Sequence, residues 1–234
     1  MRTDLRHTSD FMAALVLFDV DKTLVSDSKD ISGYVEESIR NIYGRIVEAD
    51  MGSMEGDSSQ NIIQAVLRKY QVPEDEINGK LDRIMEDLYY TYYNVAGHDR
   101  LIVKDGAREL LGELERRGAL LGIATGEAER ISRFKVEKAG LTGYFMLGAF
   151  GNSGKELADI IRAAVHTAVD ANGEVTKTAV VASSPYMLRA AKSVGVLAVG
   201  VANSRYSAGE LKQAGADSVL GSLKERRKIV GMLW

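Results

Sequence analysis

The 234-residue chain contains no cysteine. That excludes disulfides, thiolate metal sites and a cysteine nucleophile. It has only 2 prolines against 23 glycines, so tight turns are expected but no Pro-rich linker separates domains. Its three histidines, His7, His98 and His166, have no ligand-like spacing and read as ordinary surface or core residues. Neither sign of charge dominates: 30 basic against 33 acidic residues leave a formal −3. A nucleic-acid footprint and a polybasic membrane patch are therefore not expected. No apolar run approaches the length of a membrane span, and the polar start Met1-Arg2-Thr3-Asp4 does not read as a signal peptide. The expectation is a soluble cytoplasmic protein without nucleic-acid or membrane partners, its oligomeric state left open.

What the chain does have is 45% hydrophobic residues, enough for one large domain or a core domain with a cap. The most informative stretch is Leu15-Val16-Leu17-Phe18-Asp19-Val20-Asp21-Lys22-Thr23-Leu24. A short apolar run bounded by polar residues reads as a buried strand. Asp19 and Asp21 then stand at its C-terminal end, where open α/β sheets bind ligands. At strand spacing both carboxylates face one side, which is costly unless a cation, a shared proton or a substrate relieves the repulsion. An isolated D-x-D also arises where a strand merely runs into an acidic turn, so the longer pattern has to decide.

Phe18-Asp19-Val20-Asp21-Lys22-Thr23-Leu24 resembles the first motif, D-x-D-x-T, of the haloacid-dehalogenase-like (HAD) superfamily of phosphatases. The resemblance implies a nucleophilic Asp19 that becomes an aspartyl phosphate, and an Asp21 that serves as general acid and base. Thr23 would help shape the loop. Lys22 stands where the family most often has glycine, which suggests that this position needs no positive φ.

The organisation of the chain agrees with that resemblance. Residues of about 31 to 98 read as helical, with apolar periodicity over Ser32–Val47, Ser58–Tyr70 and Glu74 to about Tyr93, the last preceded by Pro73. Beyond them, apolar runs at Leu120–Ala124, Ala179–Ala182 and Val196–Val201 alternate with amphipathic helices near 106–117, 127–139, 155–169, 186–194 and 207–214. Strands alternating with helices imply a parallel sheet covered on both faces. The expected fold is α/β, a Rossmann-like doubly wound parallel sheet core with an inserted helical cap domain. The core would span 1–27 and 99–234, and the cap 28–98.

Leu121-Gly122-Ile123-Ala124-Thr125-Gly126-Glu127 ends a strand on a hydroxyl and a glycine just before a helix. Such a Thr can cap the helix, and the turn can hold an anion. Beside the first motif it resembles the family's second, which implies that Thr125 and Gly126 bind the phosphoryl group. The third motif should supply a cation. Lys155, after Gly148-Ala149-Phe150-Gly151-Asn152-Ser153-Gly154, stands where the resemblance places it. Arg133 and Lys135 lie along a helix that reads as exposed, and Lys155 is preferred to them.

The fourth motif departs from the family. Val180-Val181-Ala182-Ser183-Ser184-Pro185-Tyr186-Met187 matches its strand and loop, but the two acidic positions are Ser183 and Met187. The family's Mg²⁺ would be held by Asp19, the Asp21 backbone carbonyl and a fourth-motif acid. Ser183 could supply only a neutral oxygen there, so weakened metal binding is expected. Val199–Ser204 and Leu211–Leu220 resemble the closing segments, with Asp217 structural. The tyrosines Tyr89, Tyr90, Tyr92 and Tyr93 read as a mixture of cap core and half-wet packing.

The resemblance thus implies a phosphomonoester hydrolase acting on a small phosphorylated metabolite, similar to the phosphoglycolate-phosphatase-like branch. The alternative is a catalytically inactive relative that binds a phosphorylated ligand or partner. A dehalogenase fits less well because Asp21 is present, whereas a phosphomutase shares the same first motif.

Overall fold

A computed structural model describes residues 13–26, 31–50, 52, 54–96 and 101–234. The chain begins with β1 (Ala13–Phe18) and β2 (Val25–Ser26), then the helices α1 (Ser32–Tyr43), α2 (Ser59–Lys69) and α3 (Glu74–Ala96). It continues through β3 (Ile102–Val103), α4 (Ala107–Arg116), β4 (Leu120–Ala124), α5 (Glu129–Lys138), β5 (Leu147–Ala149) and α6 (Leu157–Asn172). It closes with β6 (Val175–Ala182), α7 (Pro185–Ser193), β7 (Leu197–Val201), α8 (Ala208–Gln213), β8 (Ser218–Leu220) and α9 (Arg226–Leu233).

Six strands form one sheet in the order β5-β4-β1-β6-β7-β8, every pair parallel. A parallel sheet needs cover on both faces, which explains the unbroken apolar character of β1. Val16 and Phe18 join Leu110, Leu111, Leu114 and Ile229 on one face. Leu15 and Leu17 join Ile160, Ile161, Leu188 and Ala191 on the other. β1 lies between β4 and β6, so the chain ends of these three strands meet at the switch point of the sheet.

The three helices between β2 and β3 have a core of their own. Val35, Ile39, Ile63, Val66, Leu67, Ile77, Ile84 and Leu88 are fully buried together. Ala128 and Ile131, from the start of α5, complete this cluster, so the helical block rests directly on the sheet domain. α1 ends earlier than the periodicity predicts. Gly44 takes φ 65° and returns its N–H to the Arg40 carbonyl, a left-handed cap that stops the helix. Entry to and exit from this block run side by side, because Val25 and Ser26 pair antiparallel with Val103 and Ile102. The expected boundaries at 27/28 and 98/99 lie outside the described residues, as do His7, His98 and Met1–Asp4. Among the described residues no helix is long and apolar enough to cross a membrane.

One local expectation is corrected. Lys22 does adopt a positive φ, at 61°. Its N–H donates to the Val25 carbonyl at 2.7 Å, and Thr23, Leu24 and Val25 all donate back to the Val20 carbonyl. A turn this tight after the strand requires a left-handed residue, and lysine bears the cost.

Candidate active site

Asp19 is the first residue past β1. Its N–H continues the ladder to Val181 at 3.0 Å, and its Oδ1 accepts the Val20 N–H at 2.9 Å. Just past β4, the Thr125 side chain stands beside the same carboxylate and favours its charged form. Burial pushes the Asp19 pKa up to about 7, Asp21 adds to the rise, and Thr125, the Val20 N–H and Lys135 oppose it. Thr125 itself is fixed by its N–H to the Ala149 carbonyl at 3.2 Å. The Gly126 carbonyl accepts from Ser59 N–H at 2.8 Å, binding the phosphate-loop candidate to the start of α2.

The cation that pairs with Asp21 at this centre is Lys135. Its ammonium donates to both Asp21 oxygens, at 2.9 and 2.8 Å, and to Glu127 Oε1. The Lys135 side chain is only 3% exposed. Glu127 accepts in turn from Ser132 Oγ at 2.9 Å, and burial together with the Asp21 charge raises its pKa. Lys155, expected in this role, is exposed and does not line the cavity. Its backbone carbonyl instead takes hydrogen bonds from Ser58 and Asn61 at the start of α2. The turn before α6 therefore braces the cap, while the inner face of α5 delivers the amine. Helical periodicity could have shown this, since Lys135 follows buried Ile131 by four residues and so lies on the same stripe.

Asp19, Asp21, Thr125, Gly126, Glu127 and Lys135 share a cavity of about 520 Å³ under the helical block. Ile31, Tyr34, Ile62 and Tyr92 roof it from the cap helices and their approaches. The loop carrying Met54, Glu55, Gly56 and Asp57 forms a side wall. Glu55 is clasped by the sheet domain: Arg205 Nη2 reaches Oε1 at 2.7 Å, the Tyr206 hydroxyl donates to that same oxygen, and Tyr186 approaches Oε2 at 3.5 Å. Burial, with Glu55 beside it, pushes the Tyr206 hydroxyl up to about 12, so it remains a donor. Gly56, at φ 93°, lays its backbone against the Tyr186 ring, where a Cβ would sit 2.4 Å from Cγ. Neither Glu55 nor Arg205 carried a motif that sequence reasoning could use. Of the tyrosines, Tyr92 is buried at the cavity, while Tyr89 and Tyr93 pack around Phe134 and Arg130 lies over the Tyr89 and Tyr90 rings. Asp217 is structural, held by Lys192 and the Ala198 N–H.

The fourth-motif positions behave differently from each other. Met187 is buried and lines the cavity. Ser183 is buried but turned away from it, its hydroxyl paired with Thr23 Oγ1. The Mg²⁺ implied by the resemblance would have to use Asp19, the Asp21 carbonyl and Ser183. The Ser183 hydroxyl is paired with Thr23, so Asp19 and the Asp21 carbonyl are the donors left, a single carboxylate at the low end of what holds this cation. Among the described residues no three acidic, cysteine or histidine side chains form a metal-holding group. These residues fit the ion weakly.

Paired aspartates follow β1, a Thr-Gly turn follows its neighbour β4, and a buried lysine joins them. Residues 16–201 match the model of the haloacid dehalogenase-like hydrolases. The chain belongs to that family. It is similar to a phosphoglycolate phosphatase from Agrobacterium fabrum, 25% identical over 197 residues that cover 83% of this chain and 82% of that one. Among solved structures it is similar to CbbY from Rhodobacter sphaeroides in complex with phosphate, with a TM-score of 0.69 at 20% identity over 92% of this chain and 96% of that one. A hydrolase from Pseudomonas syringae gives 0.68 at 18% identity, covering 94% and 99%. These last two likenesses show the α/β fold, and the haloacid-dehalogenase-like membership anticipated from the first motif stands.

Proposed function

We propose that this protein is a phosphomonoester hydrolase for a small phosphorylated metabolite. The observation that carries the reading is the meeting of Asp19, Thr125 and the Lys135–Asp21 pair in one cavity. An Asp19 oxygen attacks phosphorus, the bond from phosphorus to the leaving oxygen breaks, and that oxygen takes a proton from Asp21. Water then attacks the aspartyl phosphate, gives its proton to Asp21 and releases inorganic phosphate with Asp19 regenerated. Thr125, the Gly126 turn and Lys135 hold the phosphoryl oxygens in place while this happens. The likeness to the Agrobacterium phosphoglycolate phosphatase supports the same class of substrate.

A second reading is a protein that binds a phosphorylated ligand without turning it over. Ser183 and Met187 at the two fourth-motif positions favour it. Phosphate release from an aryl phosphate, measured in EDTA and across a Mg²⁺ titration, decides between them. Release that vanishes in Asp19→Asn supports the hydrolase. Inorganic phosphate binding with no release in either protein supports the binder.

A further inference from the structure

Lys135 has two carboxylate partners where one would neutralise it. A buried ammonium whose only partner is lost leaves an uncompensated charge, a strongly destabilising state. In the reaction proposed above, Asp21 is protonated during half of each cycle and is then no counter-ion. Glu127 has no part in that chemistry, yet its side chain is 10% exposed, is fixed by Ser132 and lies directly on the Lys135 ammonium. The aromatic ring of Tyr92 covers the same ammonium at 5.1 Å, so solvent is a poor substitute.

We propose that Glu127 is a positioning residue: it holds Lys135 charged and in place while Asp21 carries a proton. The role depends on the hydrolase reading, because only a proton-cycling Asp21 needs a standing substitute. Lys135 then presents the same cation to the phosphoryl group before and after each transfer. Glu127 belongs to the turn between β4 and α5, eight residues ahead of the lysine, so the pair is preassembled within one β–α unit. Ser132, one helical turn before Lys135, holds the far oxygen of Glu127 and keeps the carboxylate aimed at the amine.

Thermal unfolding of four proteins tests the placement without any turnover. Asp21→Asn imitates the protonated aspartate and should cost little on its own, as should Glu127→Gln. The double variant should lose about 10 °C beyond the sum of the two, because Lys135 then loses both of the carboxylates to which it donates hydrogen bonds. Adding Lys135→Met to that double variant should recover most of the loss. Strict additivity, or no recovery on removing the lysine, overturns the proposal.

Kinetics supply the second arm. Glu127→Gln should lower kcat for an alkyl phosphate at least tenfold with little change in KM, and lower it less for an aryl phosphate whose leaving group needs no proton. Glu127→Asp should restore part of the rate. Equal losses on both substrates overturn the positioning role. Coupled stabilities in a wild type that releases no phosphate would instead overturn the hydrolase reading and the cycling role with it, while leaving Glu127 as the partner of Lys135.

Discussion

Thr23 and Ser183, 160 residues apart, share two hydrogen bonds: their hydroxyls lie 3.0 Å from each other, and the Ser183 N–H donates to Thr23 Oγ1 at 3.0 Å. The loops after β1 and β6 are thereby stitched together where the family resemblance calls for an acid. Ser183→Asp would break one of these bonds and place a second carboxylate near Asp19. Mg²⁺ affinity should rise at least tenfold by calorimetry, and phosphate release should become dependent on the ion. Unchanged Mg²⁺ affinity in a folded variant would show that the loop, not the charge, is what excludes the metal.

Asp19 links stability to pH. Its folded pKa is raised to about 7 by burial first and Asp21 second, above the value of 3.8 for an unperturbed side chain. Between these values the folded protein holds a proton that the unfolded chain has lost. The Asp19 contribution to stability is therefore greatest below about pH 4 and declines as pH rises through 7. In EDTA, Asp19→Asn should flatten the profile between pH 5 and 8 and gain on the order of 2 kcal/mol at pH 8, read by urea unfolding. A variant whose profile parallels wild type would contradict this.

The clasp on Glu55 predicts a separation of affinity from stability. Its partner Arg205 is half exposed, so Glu55→Gln should cost only about 0.5–1 kcal/mol in unfolding. The wall it anchors lines the cavity, so KM should rise severalfold with kcat less affected. Limited proteolysis near 52–57 should speed up in the same variant. Equal resistance to the protease and an unaltered KM would show that the loop is held by other contacts.

Lys22 offers a simple stability gain. Its φ of 61° suits glycine better than lysine. Lys22→Gly should stabilise the fold by about 0.5 kcal/mol, the relief of backbone strain being partly offset by a freer unfolded chain. Lys22→Val, with a branched Cβ in the same conformation, should lose at least as much. Chemical denaturation of the two variants gives both signs.

The parallel sheet and most of its helices were legible because apolar runs and stripes report burial directly. β1, β4 and the start of α7 fall within a few residues of their expected places. β5 and β8, three residues each, are too short to carry a pattern, and β2 and β3 too short even to suggest one. At the site, Asp19, Asp21, Thr125 and Gly126 were readable because they follow strands, whose ends the sheet gathers in one place. Lys135 ranks below Lys155 in the sequence for an opposite reason. A lysine on an amphipathic helix ordinarily faces water, and its burial depends on Asp21 and Glu127, partners that only the folded chain supplies. Lys22 was misread because a positive φ leaves no trace in sequence when the residue is not glycine.

The antiparallel pairing of Val25–Ser26 with Ile102–Val103 has an architectural consequence. Paired strands lie about 4.8 Å apart, so the chain leaves and re-enters the sheet domain at almost one point. A short reverse turn joining Ser26 to Ile102 would close that gap and excise the helices without redirecting any sheet strand. The roof is in this sense tied to the sheet domain by a single covalent stalk, and its remaining hold on the floor is non-covalent.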